Sequence, residues 1–216
     1  MVRSLCTGDT MATVVDHPLV AHKLSLLRDK NTKTAKFRRV LTEIAILLAY
    51  EATRALPTQQ VEIETPLARM QATMLVPEHP VVVSVLRAGN GFLDGFLQVL
   101  PSARVGFVGL ARDHDTHEPV EYYVKFPGLM DQRDALVVDP MLATGGSAVA
   151  ALERVLVHRP RSCTFICLVA APEGIARLEA AHPSVNIVTA AIDERLDENA
   201  YIVPGLGDAG DRLYGT

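Results

Sequence analysis

The chain has 216 residues, 49% of them hydrophobic and 21% charged, with 21 Lys and Arg against 25 Asp and Glu for a net charge of −4. That length suits one domain, or one with a small appendage, able to bury a substantial core without disulfides or metals. The acidic balance argues against nucleic-acid binding as the main role, no run approaches the roughly 18 apolar residues of a membrane span, and the three cysteines Cys6, Cys163 and Cys167 make no disulfide framework, which fits a reducing cytoplasm. Residues 1–13 hold one basic residue and no signal-peptide core, and they read as a disordered extension ahead of a single domain over 14–216. Residues 35–56 form the clearest helix: Phe37, Val40, Leu41, Ile44, Leu47 and Leu48 recur at helical spacing, Thr34 is a candidate N-cap and Pro57 stops the pattern. Its apolar stripe is wide enough to meet a neighbouring subunit as well as its own core. Apolar runs at 81–86, 105–110, 135–138, 164–170 and 185–190 read as strands buried on both faces, with helical stretches at 91–100, 147–158 and 173–181 between them. Alternating β and α units of this size predict an α/β fold, a parallel sheet with helices on both faces. Residues 60–67 and 122–126 alternate more and fit antiparallel additions or a hairpin arm.

The most informative string is Asp139-Pro140-Met141-Leu142-Ala143-Thr144-Gly145-Gly146-Ser147. It follows the run 135–138 and precedes a helix, so free backbone N–H groups and the positive end of a helix dipole converge on one anion. Glycines let the backbone approach without a Cβ, and Thr144 and Ser147 add hydroxyl donors. Asp139, at a strand's carboxyl end, is an acceptor for ligand hydroxyls in the crevice where open α/β sheets bind ligands. The string is not a P-loop, because no lysine follows the glycines. A ligand-free β–α turn would explain a bare Thr-Gly-Gly-Ser but not the whole string.

Two arginines stand at the ends of other strands, in Arg87-Ala88-Gly89 and in Ala111-Arg112-Asp113. In a parallel sheet those ends share one edge, so both guanidinium forks can reach a single polyanion. Near the C-terminus, Gly205, Gly207 and Gly210 match GxGxxG by letter, but a dinucleotide site needs a βαβ context and an acidic residue about 20 positions on. The six residues after Gly210 supply neither. The segment reads instead as a tight loop whose main chain can read a planar base, with Asp208 its one charge toward the ligand, suited to water or Mg²⁺. The seven histidines show no paired ligand spacing, and His114 and His117 sit in a polar loop. No direct metal motif, Ser-His-Asp pattern or catalytic carboxylate pair is evident.

With these residues in place, the chain from about His17 resembles the uracil phosphoribosyltransferases. The strings that carry the resemblance are His17-Pro18-Leu19-Val20, Leu27-Arg28-Asp29-Lys30-Asn31-Thr32, Tyr50-Glu51-Ala52-Thr53-Arg54, Glu62-Ile63-Glu64-Thr65-Pro66-Leu67, Leu86-Arg87-Ala88-Gly89, the string 139–147, Ala170-Ala171-Pro172-Glu173-Gly174, and 202–211. Pro140 stands where most phosphoribosyltransferases carry a second acidic residue. The resemblance implies a twisted parallel sheet with a small C-terminal hood. It also implies transfer of the 5-phosphoribosyl group from phosphoribosyl diphosphate (PRPP) to uracil, giving UMP and diphosphate, with Mg²⁺ on the PRPP. A homodimer or higher homo-oligomer is implied too, and in some members activation by GTP.

Carried over residue by residue, Arg87 and Arg112 match diphosphate binders. Asp139, Pro140, Met141, Leu142, Ala143, Thr144, Gly145, Gly146 and Ser147 match the ribose-5-phosphate site. Ile202, Gly207, Asp208 and Ala209 match the uracil hood, with Asp208 also near Mg²⁺-PRPP. Arg87, Arg112, Asp139 and Asp208 are the candidate catalytic residues. Two departures, Asn90 and the charged Asp193-Glu194-Arg195-Leu196 loop, touch no matched site. The alternatives are an RNA-binding regulator of pyrimidine operons on the same fold, which the acidic balance and intact hood string oppose, and a purine phosphoribosyltransferase, which Pro140 and the hood oppose.

Overall fold

The structure, a computed structural model, describes residues 12–112 and 119–216, without the side chains of Arg112 and Pro119. In chain order the elements are β1 (Ala12–Val14), α1 (Pro18–Arg28), α2 (Thr34–Ala52), β2 (Thr58–Glu64), β3 (Arg69–Leu75), β4 (Val81–Leu86), α3 (Asn90–Val99), β5 (Arg104–Arg112), β6 (Pro119–Lys125), β7 (Asp134–Val138) after a single 3-10 turn, β8 (Met141–Leu142), α4 (Gly146–Leu156), β9 (Ser162–Ala170), α5 (Pro172–Ala181), β10 (Asn186–Ile192), β11 (Arg195–Leu196), β12 (Ile202–Val203) and α6 (Ala209–Tyr214).

One sheet runs β1-β10-β9-β7-β4-β5-β6, with β8 extending the ladder of β9. Every pairing in it is parallel except β5 with β6, so the sheet is mixed but mostly parallel, as the alternating pattern predicts. Side-chain alternation divides the core in two. Val82, Leu136, Val138, Ile166 and Leu168 face a layer built on α1, α2 and α3. Val81, Val83, Val85, Val137, Phe165 and Cys167 face α4 and α5. Both faces are covered, which is why these strands are apolar runs rather than alternating ones.

The strand 81–86 lies where the sequence puts it, and the other four differ by a residue or two at their ends. Ala12 and Thr13, counted in the disordered extension, form β1 with Val14 and pair in parallel with β10, covering what would otherwise be an open sheet edge. Residues 1–11 lie outside the described residues. Helix α2 begins at Thr34 itself, capped by Lys33 without a side-chain hydrogen bond, and ends at Ala52 rather than 56. Thr53 closes it, its hydroxyl donating 2.8 Å to the Ala49 carbonyl. The predicted strand 60–67 is the first half of a β2–β3 hairpin, Thr58 paired with Leu75 and Glu64 with Arg69. The turn starts earlier than predicted because the Thr65 hydroxyl accepts from the Leu67 and Ala68 N–H groups.

Candidate active site

Strand β4 neighbours β5 on one side and β7 on the other. The strand order reverses there, which is where open α/β sheets leave a crevice at their carboxyl ends. A cleft of about 850 Å³ opens at that point, lined by Arg87 after β4, Leu110 and Ala111 of β5, and Asp139 after β7. The backbone of Arg112 ends β5 beside it; the side chain of Arg112, and His114 and His117, lie outside the described residues. Arg87 is exposed, and its carbonyl accepts 2.8 Å from the Tyr214 hydroxyl of α6.

The phosphate string folds as its chemistry predicts at the helix end and differently at the strand end. Met141 and Leu142 are a short strand rather than loop, paired with Val169 and Ala170. Pro140 is buried and absent from the cleft wall. Its carbonyl accepts from Leu168 and Val169 at 2.9 and 3.2 Å, and it has no N–H to offer an anion. These two bonds anchor the loop to β9. Asp139, Met141, Leu142, Ala143, Thr144, Gly145, Gly146 and Ser147 all border the cleft. Gly145 caps α4 in the left-handed region at φ 80. The first-turn N–H groups of α4 beyond it have no helical acceptors. Asp139 is half-buried at the sheet end. Its charge adds to the effect of burial, the larger cause, in pushing the neighbouring Cys167 thiol up to about 12.

Opposite the loop stands the C-terminal segment. β11 and β12 form a two-rung antiparallel ladder, Arg195 with Val203 and Leu196 with Ile202. Ile202, Gly207, Asp208 and Ala209 border the cleft, as do Asn199, Ala200, Tyr201 and Gly210. Asp208 caps α6, accepting 2.9 Å from the Asp211 N–H. Ile202 and Ala209 are buried. Arg212 braces the segment from behind: its guanidinium donates to the Leu206 carbonyl at 2.8 Å, to the Asp29 carbonyl at 2.7 Å and to Leu27, and lies 4.6 Å from the centre of the Phe37 ring.

The cleft also takes in residues the sequence did not single out: Ala88, Ala148, Tyr122 and Tyr201 among them. Ala88 lies in a string already noted and Tyr201 directly precedes one, each one step from an assigned position. Tyr122 comes from the antiparallel β6 and carries no local motif. The Asp193 loop is also corrected. Far from touching no matched site, the loop pairs its Leu196 with Ile202, and Asp193 is buried and accepts 2.8 Å from the Gly205 N–H of the hood. Asn90, the other departure, accepts 2.9 Å from the Ser84 hydroxyl and hydrogen-bonds Tyr214.

The fold is that of the phosphoribosyltransferases. An adenine phosphoribosyltransferase from Trypanosoma brucei, solved with AMP, pyrophosphate and ribose-5-phosphate, aligns with a TM-score of 0.59 over 93% of this chain and 89% of that one, at 12% identity, a likeness of fold alone. The sequence profile of the uracil phosphoribosyltransferase family matches residues 14–216. A uracil phosphoribosyltransferase from Paracoccus denitrificans is 58% identical over 204 residues, covering 94% of this chain and 97% of the relative. A solved protein from Aquifex aeolicus aligns with a TM-score of 0.91 at 40% identity over 95% of this chain and 98% of its own. The chain belongs to the uracil phosphoribosyltransferase family, and is an enzyme of the glycosyltransferase class in pyrimidine salvage. The RNA-binding alternative finds no support in these relatives.

Proposed function

We propose that this cleft binds PRPP and uracil together and joins them, so that the bond from ribose C1′ to diphosphate breaks, a bond from C1′ to uracil N1 forms, and UMP and diphosphate leave. The opposition of an anion cradle and a main-chain hood across one cleft supports this assignment. Arg87 and Arg112 bind the diphosphate, the loop from Met141 to Ser147 binds the 5-phosphate, and Asp139 accepts from the ribose hydroxyls. Ile202, Gly207, Asp208 and Ala209 hold the base. No side-chain nucleophile is needed. C1′ develops oxocarbenium character as diphosphate departs, so positioning and charge neutralisation carry the rate. The N1 proton passes to solvent as the new bond forms, and hood N–H groups stabilise the charge that uracil gains.

Mg²⁺ fits the donors present. Asp139 and Asp208 are the carboxylates among the described residues lining the cleft. No group of three or more His, Cys, Asp or Glu side chains gathers to hold a metal among the described residues, so the ion would be held mainly through PRPP oxygens and water, the ligands Mg²⁺ favours. Bound there, it neutralises the leaving diphosphate. The test is a panel of uracil, cytosine, hypoxanthine, adenine and orotate with PRPP and Mg²⁺, following diphosphate release. Release with uracil alone supports the assignment; release with a purine and not uracil refutes it.

The β2–β3 hairpin supports a homodimer or higher homo-oligomer. It forms a sheet of its own and exposes Ile63, Leu67, Met70 and Met74, Leu67 at 96%, and an isolated hairpin is marginal in water. Light scattering on a sizing column tests it, and a monomer at micromolar concentration refutes it. Free, buried Cys163 and Cys167 support a reducing cytoplasm, and among the described residues no helix is long and apolar enough to cross a membrane. GTP is the candidate effector, checked by titrating it against the initial rate at sub-saturating PRPP.

A further inference from the structure

We infer that Arg28 and Asp193 are positioning residues for the base, acting through the peptide of Gly205; this deepens the uracil-transfer assignment and rests on it. The Arg28 guanidinium grips Asp193 with two bonds, Nη1 to Oδ2 at 2.7 Å and Nη2 to Oδ1 at 2.5 Å. The same Nη1 donates 2.7 Å to the Gly205 carbonyl, and the same Oδ2 accepts 2.8 Å from the Gly205 N–H. The two peptide units that flank the Gly205 Cα are thus held, one at its N–H and the next at its carbonyl, by the two halves of one ion pair. The geometry leaves Gly205 little latitude: a Cβ there would sit 2.0 Å from the Ile202 carbonyl oxygen, and its φ is +57. Two and three residues on, Gly207 and Asp208 border the cleft.

Each half of the pair is fixed to a rigid element. Arg28 is the last residue of α1, and Asp193 follows β10 with its N–H donating 2.9 Å to the Ala170 carbonyl at the end of β9. The Asp193 side chain is 4% exposed and that of Arg28 24%. Burying such a pair contributes little net stability, and an apolar pair of similar size would often serve the fold as well. What an apolar pair could not do is fix the height and tilt of a peptide next to the base-binding turn. Neither residue borders the cleft, so both act at one remove. Among the described residues, the side chains of Arg28 and Asp193 bond each other and Gly205 rather than residues 141–147. Loosening the clamp should therefore weaken uracil recognition and spare PRPP.

The experiment compares Arg28→Met, Arg28→Lys and Asp193→Asn with the parent enzyme, at a temperature well below the melting point of each variant. Both KM values are measured with Mg²⁺ present, with amide hydrogen exchange at 205–209 and 143–147. Misplacing a recognition group by about 1 Å can cost about a hundredfold, so Arg28→Met and Asp193→Asn should raise the uracil KM by roughly ten- to a hundredfold with the PRPP KM within about twofold. Arg28→Lys keeps the charge but not the fork and should recover part of the loss. Exchange should quicken at 205–209 alone. A lower melting temperature with both KM values unchanged would make the pair a structural bridge only and overturn the inference, as would equal rises in the two. Should Arg28→Met not fold, the lysine variant and the exchange pattern still decide. A parent enzyme that turns over no uracil is the distinct failure, that of the proposed reaction itself.

Discussion

Replacing Gly145 separates an anion cradle from an ordinary turn. The residue sits at φ 80 and ψ −8, where an L side chain costs about 1–2 kcal/mol. A Cβ would also lie 3.0 Å from the Gly174 carbonyl oxygen and 3.2 Å from the Arg177 Cβ, closer than ordinary contact. The Gly174 oxygen is backbone at the start of α5 and yields little. Gly145→Ala therefore either keeps the loop and loses about 1–2 kcal/mol, a fall in Tm of about 2–8 °C at this chain length, or shifts the loop and relieves the strain. A shift moves the first-turn N–H groups of α4 away from the phosphate, and the PRPP affinity then falls about tenfold for each 1.4 kcal/mol lost. Gly145→Val adds two γ-carbons to the same site and should take the second course entirely, abolishing PRPP binding. Calorimetric titration of PRPP with Mg²⁺, alongside thermal melts, measures both. Gly145→Val with parental PRPP affinity would show that the loop is a structural turn and that the anion binds elsewhere.

Asp139→Asn keeps the shape of the side chain and removes its charge, so PRPP binding and kcat should together lose about 1.5–3 kcal/mol, with an unchanged fold by circular dichroism; unchanged kinetics would remove Asp139 from the site. Gly207→Pro removes an N–H and imposes a φ near −65° where the chain sits at +76, so uracil use should vanish, whereas Ile202→Val should cost about 0.5–1.5 kcal/mol of stability and leave the base panel unaltered. Alkaline pH should destabilise the fold through the buried thiols. Cys163 and Cys167 are pushed up to about 12 by burial, above the ordinary value of 9.0, so their contribution is complete below about 9 and is lost as pH rises toward 12. Denaturant melts from pH 8 to 11 should show that decline, and it should flatten in the Cys163→Ala/Cys167→Ala protein.

The sheet was legible because burial on both faces writes each strand as an uninterrupted apolar run, and 81–86 needs no other signal. The turn and helix start within 139–147 were legible because paired glycines between an apolar strand and a helix are a local signal. The part played there by Pro140 was not legible, because its carbonyl bonds β9 at Leu168 and Val169, 28 and 29 positions away. Helix α1 left a faint trace. Only Val20, Leu24 and Leu27 of its 11 residues are buried, and its N-cap is His17, whose ring nitrogen accepts the Leu19 N–H, instead of the usual hydroxyl or carboxylate. The strands β11 and β12 have two residues each, too few for any period. The Asp193 loop read as a departure away from the site because the partner of Asp193, Arg28, lies 165 positions away. Such pairings depend on the folded chain, and neither spacing nor composition records them.

The C-terminal segment joins the two halves of the cleft mechanically, and this decides which perturbations can separate them. Leu206, Ala209 and Leu213 are core residues packed with α2 and α3. The Tyr214 hydroxyl holds the Arg87 carbonyl, and Arg38 donates 2.6 Å to the Leu213 carbonyl. Burial raises the Tyr214 phenol above its usual range, so it stays a neutral donor to Arg87 at physiological pH. Deleting everything after Pro204 would then remove the hood, expose the core and release Arg87 at once. Loss of activity on truncation could not be assigned to base recognition. Point changes in the hood and its clamp avoid this, because the Arg28–Asp193 pair bears on Gly205, on the side proposed for the base, whereas Tyr214 bears on Arg87, on the side proposed for the diphosphate. Tyr214→Phe removes only the hydroxyl and should therefore raise the PRPP KM by about tenfold or less with the uracil KM unchanged, the reverse of the split expected for Arg28→Met. Equal splits in the two variants would mean that the segment moves as one body and that the halves of the cleft are not independently set.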